Sequence, residues 1–330
     1  MLDEYAIGLD IGGTKIAGGV VDCATGRVLS KQVIPTEPQR GGQAVLESTL
    51  GLTEYLLQEA HKLGVTIAGV GLGICELVDA TGQITDAHTI DWRDLPVRER
   101  FALLAPVGSK IIIEADVRAS AVAEARFGAG RPYSLFAYVT VGTGISCCLV
   151  QAGRPLVGAR GHALVLASMP LTTTCPHCGS ELHPVLEEYA SGPALLARYN
   201  HAVGKPSAIT HGRALMAAVA AGDPLAIEIV RSAGAALGNS VAFLVNILDP
   251  AAVIVGGGLG VAGGLYWESF VAATRAHIYA DTTRTLPILP AALGEDAGLI
   301  GAGAMVYHEQ AVTASSNTKA GTAEAVPAFV

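Results

Sequence analysis

The 330-residue chain is short of charge. Only 15% of its residues are Asp, Glu, Lys or Arg, which argues against a disordered or coiled-coil protein. Basic residues are the scarcer kind: 21 Lys and Arg face 29 Asp and Glu, a net charge of −8. Neutralising phosphates takes clustered cations, so no nucleic-acid partner is expected. No run reaches about 18 uninterrupted apolar residues, so no membrane partner is expected either. An export signal is also missing, since the opening MLDEYAIGLD is acidic where a signal is basic. Six cysteines without such a signal suit reduced thiols or a metal site, not a disulfide framework, and a cytoplasmic location is expected. Too few residues precede the first apolar run to hold a helix-turn-helix module.

Apolar residues and glycine are plentiful, at 51% of the chain and 40 residues. Length and apolar content suit two α/β domains. The stretch YAIGLDIGGTKIAGGVVD reads as two strands around a glycine turn. Residues 41–64 have helical spacing and stop at Gly64. The runs 67–74 and 110–115 are continuously apolar, as in strands covered on both faces. Residues 135–150 repeat the opening strand–turn–strand pattern, and 251–260 form another strand ending in glycines. A long helix is expected over 222–250, with Asp223 as cap, Pro224 at its first position and Pro250 as its stop. Residues 311–330 read as a disordered tail.

Three glycine turns follow apolar strands: Asp10-Ile11-Gly12-Gly13-Thr14-Lys15, Gly142-Thr143-Gly144 and Gly256-Gly257-Gly258. Bare backbone amides in such turns can point at phosphate oxygens, with the Thr hydroxyl and Lys ammonium assisting. Asp10 can hold a Mg2+-bound water beside them. A simple hairpin turn is the alternative for each. Asp116 stands where the run 110–115 gives way to a helical pattern. Read from the residues alone, it is either the N-cap of that helix or a general base, and the two roles are compatible. Cys175 and Cys178 have zinc-like spacing, with His183 as a third ligand and His177 or His162 as a fourth. Two reduced cysteines on a loop are the alternative.

Taken together, LDIGGTK, GTGI, IVGGGL, EEYASGPAL and GLIGAGAM resemble the motifs of the ROK family (repressors, open reading frames and sugar kinases) within the actin-like ATPase superfamily, over about residues 5–308. The resemblance implies a two-domain actin-like ATPase (ribonuclease H-like) fold with a cleft between domains. The expected boundaries are 1–116, with a C-terminal helix at about 292–308 packing back on it, and 117–291. It implies ATP and Mg2+ as cofactors, Zn2+ at the cysteines, and a homodimer or homo-oligomer. It also implies that Asp116 accepts the proton of a sugar primary hydroxyl that attacks the γ-phosphate, and that Glu187 binds the acceptor.

Departures from the family pattern gather at the acceptor side. The family's Asn before the catalytic Asp is Ala115. Its acceptor-binding Glu and His align with Val165 and Ser168, and its proline–glycine turn is Cys75-Glu76. The three glycines after GTGI are Ser146, Cys147 and Cys148. A buried hydroxyl that loses its partner forfeits about 1–3 kcal/mol, so two or three losses should reject glucose. The expected acceptor is therefore a modified one, a C7-cyclitol or an amino sugar of specialised metabolism such as antibiotic biosynthesis. A glucokinase, fructokinase or N-acetylhexosamine kinase is the alternative, and a non-catalytic sugar-sensing or scaffold protein is the alternative of another class. Trp92 reads as packing, Cys147 and Cys148 as space-filling, and Arg118 and Arg126 as surface charges, with Arg118 a candidate for phosphate contact.

Overall fold

A computed structural model describes residues 5–174, 179–205 and 208–316. The chain forms two compact units, Met1–Ala123 with Gly298–Val330, and Glu124–Ala297. It leaves the first unit after Ala123 and returns after Ala297, against sequence-based boundaries at 116 and 292.

The first unit is built from β1 (Tyr5–Ile11), β2 (Lys15–Asp22), β3 (Val28–Pro35), α1 (Gly42–Lys62), β4 (Ile67–Ile74), β5 (Leu77–Val78), β6 (Ile84–Asp86), α2 (Val97–Leu104), β7 (Lys110–Ala115) and α3 (Asp116–Phe127), whose last turn passes into the second unit. Its main sheet runs β3-β2-β1-β4-β7. The first three strands form an antiparallel meander, and β1, β4 and β7 are parallel. Strand β4 (IAGVGLGI) is buried along nearly its whole length, as a parallel strand covered on both faces must be. Helix α1 turns Val45, Leu46, Thr49, Leu52, Thr53, Leu56 and Ala60 inward. That three-and-four spacing is one apolar stripe of a helix against a sheet. Trp92, fully buried, fixes the entry of α1 by donating its indole N–H to the Gly42 carbonyl at 2.8 Å.

The second unit contains β8 (Leu135–Val141), β9 (Ile145–Gln151), β10 (Arg154–Pro155), β11 (Thr173–Thr174), β12 (Glu181–Leu182), α4 (Leu186–Ala190), α5 (Gly192–Ala202), α6 (Gly212–Ala220), α7 (Pro224–Leu248), β13 (Ala252–Gly256), α8 (Gly264–His277) and β14 (Ile288–Pro290). Its main sheet runs β10-β9-β8-β13-β14, again an antiparallel meander followed by parallel strands. Even the burial pattern of β8 repeats that of β1, with half-buried Thr140 at the position of Asp10. The long helix α7 starts as its sequence indicates. Asp223 accepts the amides of Leu225 at 2.9 Å and Ala226 at 3.2 Å, and Pro224 is the first helical residue. Cys147 and Cys148 are both buried in β9, and burial pushes the Cys147 thiol up to about 12.

The final helix, α9 (Ala297–Ser316), returns to the first unit. Its backbone lies directly on the sheet because β1 and β4 offer glycines there. A Cβ on Gly8 would come within 2.0 Å of the Leu299 carbonyl oxygen, and one on Gly71 within 1.9 Å of the Ala302 carbonyl oxygen. The helix runs to Ser316, past residue 311 where a tail was expected; residues 317–330 lie outside the described residues.

Candidate active site

Three parallel strands of the first unit end side by side, and each brings polar residues to its C-terminal end. Asp10 is the penultimate residue of β1. Cys75 and Glu76 follow β4, and Asp116 follows β7. The register pairs Ile11 with Ile74 and Ile74 with Ala115, so the three ends stand at one level. The carboxyl edge of a parallel sheet is where open α/β folds bind ligands.

Asp116 is the first residue of α3, and its carboxylate accepts the Val117 amide at 2.6 Å. It thus sits at the helix start, as a cap would, while remaining at the strand edge. Its proton affinity is far from ordinary. Burial pushes its pKa up to about 7, the Asp10 and Glu76 charges add to the rise, and the Val117 amide and Arg118 oppose it. A carboxyl poised near neutrality is suited to general-base work. Burial and the neighbouring carboxylates also drive the Cys75 thiol upward, which leaves it protonated and unreactive. Ala115, in the buried last position of β7, presents only a methyl group.

Arg118 is not a surface charge and not free for phosphate. It is 4% exposed, forms a buried ion pair with Glu114 and donates to the Val78 carbonyl. Glu114 lies on β7 and Arg118 on α3, so the pair spans the strand-to-helix junction and no helical spacing announced it. Desolvation raises the Glu114 pKa, and Arg118 counters it.

The turn Gly12–Lys15 is a tight hairpin in which the Gly12 amide donates to the Lys15 carbonyl at 3.1 Å. Thr14 and Lys15 are exposed at its tip. Fully buried Thr36, which sequence reading missed, braces the turn: its hydroxyl donates to the Gly12 carbonyl at 2.6 Å and its amide to the Thr14 carbonyl at 3.1 Å. Asp10 lies against Gly298 at the start of α9, where a Cβ would come within 2.5 Å of the carboxyl carbon.

In the second unit the other two glycine turns adjoin. An ideal Cβ on Gly142 would stand 3.8 Å from the Gly258 amide nitrogen, and one on Gly258 would meet nothing within 4 Å. Gly257 has φ +79°, a conformation open chiefly to glycine. Only Gly258 is open; a Cβ on Gly256 would come within 2.3 Å of the Tyr138 hydroxyl and one on Gly257 within 2.3 Å of the Val141 carbonyl oxygen. The turn Gly142–Gly144 is closed by the Gly142 amide donating to the Gly144 carbonyl at 2.9 Å, with Thr143 exposed. Glu187 at the start of α4 accepts the Ile145 amide at 2.7 Å, so one of its oxygens steadies this turn. Val165, expected at the place of an acceptor-binding Glu, is 46% exposed and apolar.

Cys175 and Cys178 lie outside the described residues. His183 is exposed and 3.1 Å from Glu181. Among the described residues no group of three His, Cys, Asp or Glu is placed to hold a metal. No described helix is long and apolar enough to cross a membrane.

Two α/β units, each with a meander-plus-parallel sheet and a glycine turn after its first strand, define a two-domain actin-like ATPase fold. The chain belongs to the ROK family, whose family model matches residues 6–309. It is 31% identical to a glucokinase of Streptomyces coelicolor over 313 residues, covering 90% of this chain and 95% of that protein. It resembles the crystal structure of a ROK hexokinase from Thermus thermophilus with TM-score 0.76 at 34% identity, covering 93% and 99% of the two chains. A ROK glucokinase from Streptomyces griseus, in complex with glucose and AMPPNP, aligns with TM-score 0.76 at 30% identity, covering 92% and 99%.

Proposed function

We propose that this protein transfers the γ-phosphoryl group of ATP to the primary hydroxyl of a modified sugar-like acceptor. It is an ATP-dependent sugar kinase; the acceptor and the residue roles are our reading. Asp116 carries it: a carboxyl pushed up to about 7 at the strand edge can take the hydroxyl proton as the oxygen attacks. Phosphoryl transfer otherwise needs positioning and charge neutralisation. The turns Gly12–Lys15, Gly142–Gly144 and Gly256–Gly258 offer amides, a hydroxyl and an ammonium for the nucleotide. Asp10 would hold a water of the Mg2+ shell, and magnesium would offset the phosphate charge. Zinc at Cys175, Cys178 and His183, and a homodimeric or homo-oligomeric assembly, belong to the same reading.

The acceptor side supports a substrate other than glucose. Ala115 and Val165 offer no hydrogen bond where the family pattern has Asn and Glu, and one Glu187 oxygen is taken by the Ile145 amide. A C7-cyclitol, which has no anomeric hydroxyl, or an amino sugar fits this reduced set. Plain glucose is the second reading, favoured by the likeness to the Streptomyces glucokinases. ATP consumption measured with Mg2+ across glucose, N-acetylmannosamine, 2-amino-2-deoxyglucose and a C7-cyclitol decides between them. Preference for the cyclitol or amino sugar is expected. Rapid turnover of glucose would reject the modified acceptor, and turnover of none would reject the kinase.

A further inference from the structure

Glu76 is an unexpected residue for the end of a central parallel strand. It is 5% exposed, and a buried carboxylate is costly unless its lone pairs are met. Three consecutive backbone amides meet them. Its Oε2 accepts from His88 at 2.7 Å, and its Oε1 accepts from Thr89 at 2.8 Å and Ile90 at 2.5 Å. A run of amides converging on one anion is a nest, here occupied by the protein's own side chain. Oε1 is occupied by two amides and Oε2 by one, so both oxygens hold the loop.

The loop it grips is not remote. The Thr89 methyl lies against the phosphate-type hairpin, where a Cβ on Gly13 would come within 2.7 Å of it. The Cys75 thiol donates to Glu76 Oε1 at 4.0 Å, and the Cys75 amide donates to the Ile11 carbonyl at 3.1 Å. Residues 88–90 are therefore tied to the ends of β1 and β4, at the level where Asp116 begins α3. The charged groups acting on Asp116 there are Asp10 from β1, Glu76 from the end of β4 and Arg118 from α3.

We propose that Glu76 is a positioning residue for the acceptor: its carboxylate clamps His88–Ile90 at the strand edge where Asp116 begins α3. This rests on Asp116 being the base. The clamp replaces the fixed curvature that a proline–glycine turn would supply after β4.

The test is steady-state kinetics of Glu76→Ala, Glu76→Gln and Asp116→Asn with ATP and whichever of the four acceptors named above turns over best. Glu76→Ala should raise acceptor KM at least about tenfold while ATP KM stays within about threefold. Glu76→Gln keeps one carbonyl acceptor for the amides but sets an N–H against another, so it should fall between. Amide hydrogen exchange at 88–90 should quicken in the same order. The proposal is overturned if Glu76→Ala, folded by thermal melting, leaves acceptor KM within twofold or raises both KM values equally. If Glu76→Ala does not fold, a wild-type acceptor KM in Glu76→Gln overturns it instead. An Asp116→Asn variant with full turnover would sink the base reading separately, and an acceptor panel without turnover would sink both.

Discussion

At the residue scale, Asp116 combines a helix-start position with a proton affinity set by its surroundings. Asp116→Asn should lower kcat at least about 100-fold while ATP affinity, measured by calorimetry, stays within about threefold. The wild-type kcat/KM should fall as pH drops below about 7, because the base then carries a proton. Stability should move the other way. The folded-state pKa lies above the ordinary carboxyl value, so the folded protein holds this proton more tightly, and stability is lost as pH rises from about 4 through 7. Asp116→Asn should therefore raise the melting temperature more at pH 8 than at pH 5. Arg118 shows the opposite economy of charge. Arg118→Leu strands Glu114 in a buried site, and a loss of about 3–5 kcal/mol is expected from denaturant melts at neutral pH. Asp116 was legible from its place in the chain. Its pKa was not, because Asp10 and Glu76 reach it only through the parallel pairing of three strands far apart in sequence.

At the element scale, turns and helix ends were legible because their signals are local. Asp223, Pro224 and Pro250 mark α7, and Gly64 (φ +68°) ends α1. The three glycine turns appear where apolar strands stop. What joins them was hidden: Thr36 bracing Gly12 and Glu187 bracing Ile145 are contacts across 24 and 42 residues. The contact of α9 with its sheet likewise depends on glycines of other elements. Gly71→Ala would place a Cβ 1.9 Å from the Ala302 carbonyl oxygen, where only backbone can give way. A loss of at least about 3 kcal/mol in urea melts is expected, whereas the same change at exposed Gly51 inside α1, where a Cβ meets nothing within 4 Å, should gain about 0.5–1 kcal/mol.

At the scale of the whole molecule, two units repeat one sheet topology, and each carries its own glycine turn. Nucleotide binding should stabilise the fold by mass action. AMPPNP with Mg2+ at 100 times its Kd should add about 2.7 kcal/mol, read as a rise in melting temperature, and Asp116→Asn should keep that rise. Metal analysis of purified protein should find about one zinc per chain if Cys175, Cys178 and His183 bind it, and Cys175→Ser should remove it. The sequence by itself determined the α/β class, the repeated strand–turn–strand pattern, the phosphate-type turns and the position of the candidate base. These are short-range patterns of polarity, glycine and helix-end residues, each readable within some 20 positions. The tertiary structure alone decided that Arg118 is buried, that Glu76 grips three amides and that Asp116 titrates near neutrality. Burial and Coulomb interaction depend on distance in space, and only the folded sheet brings those groups together.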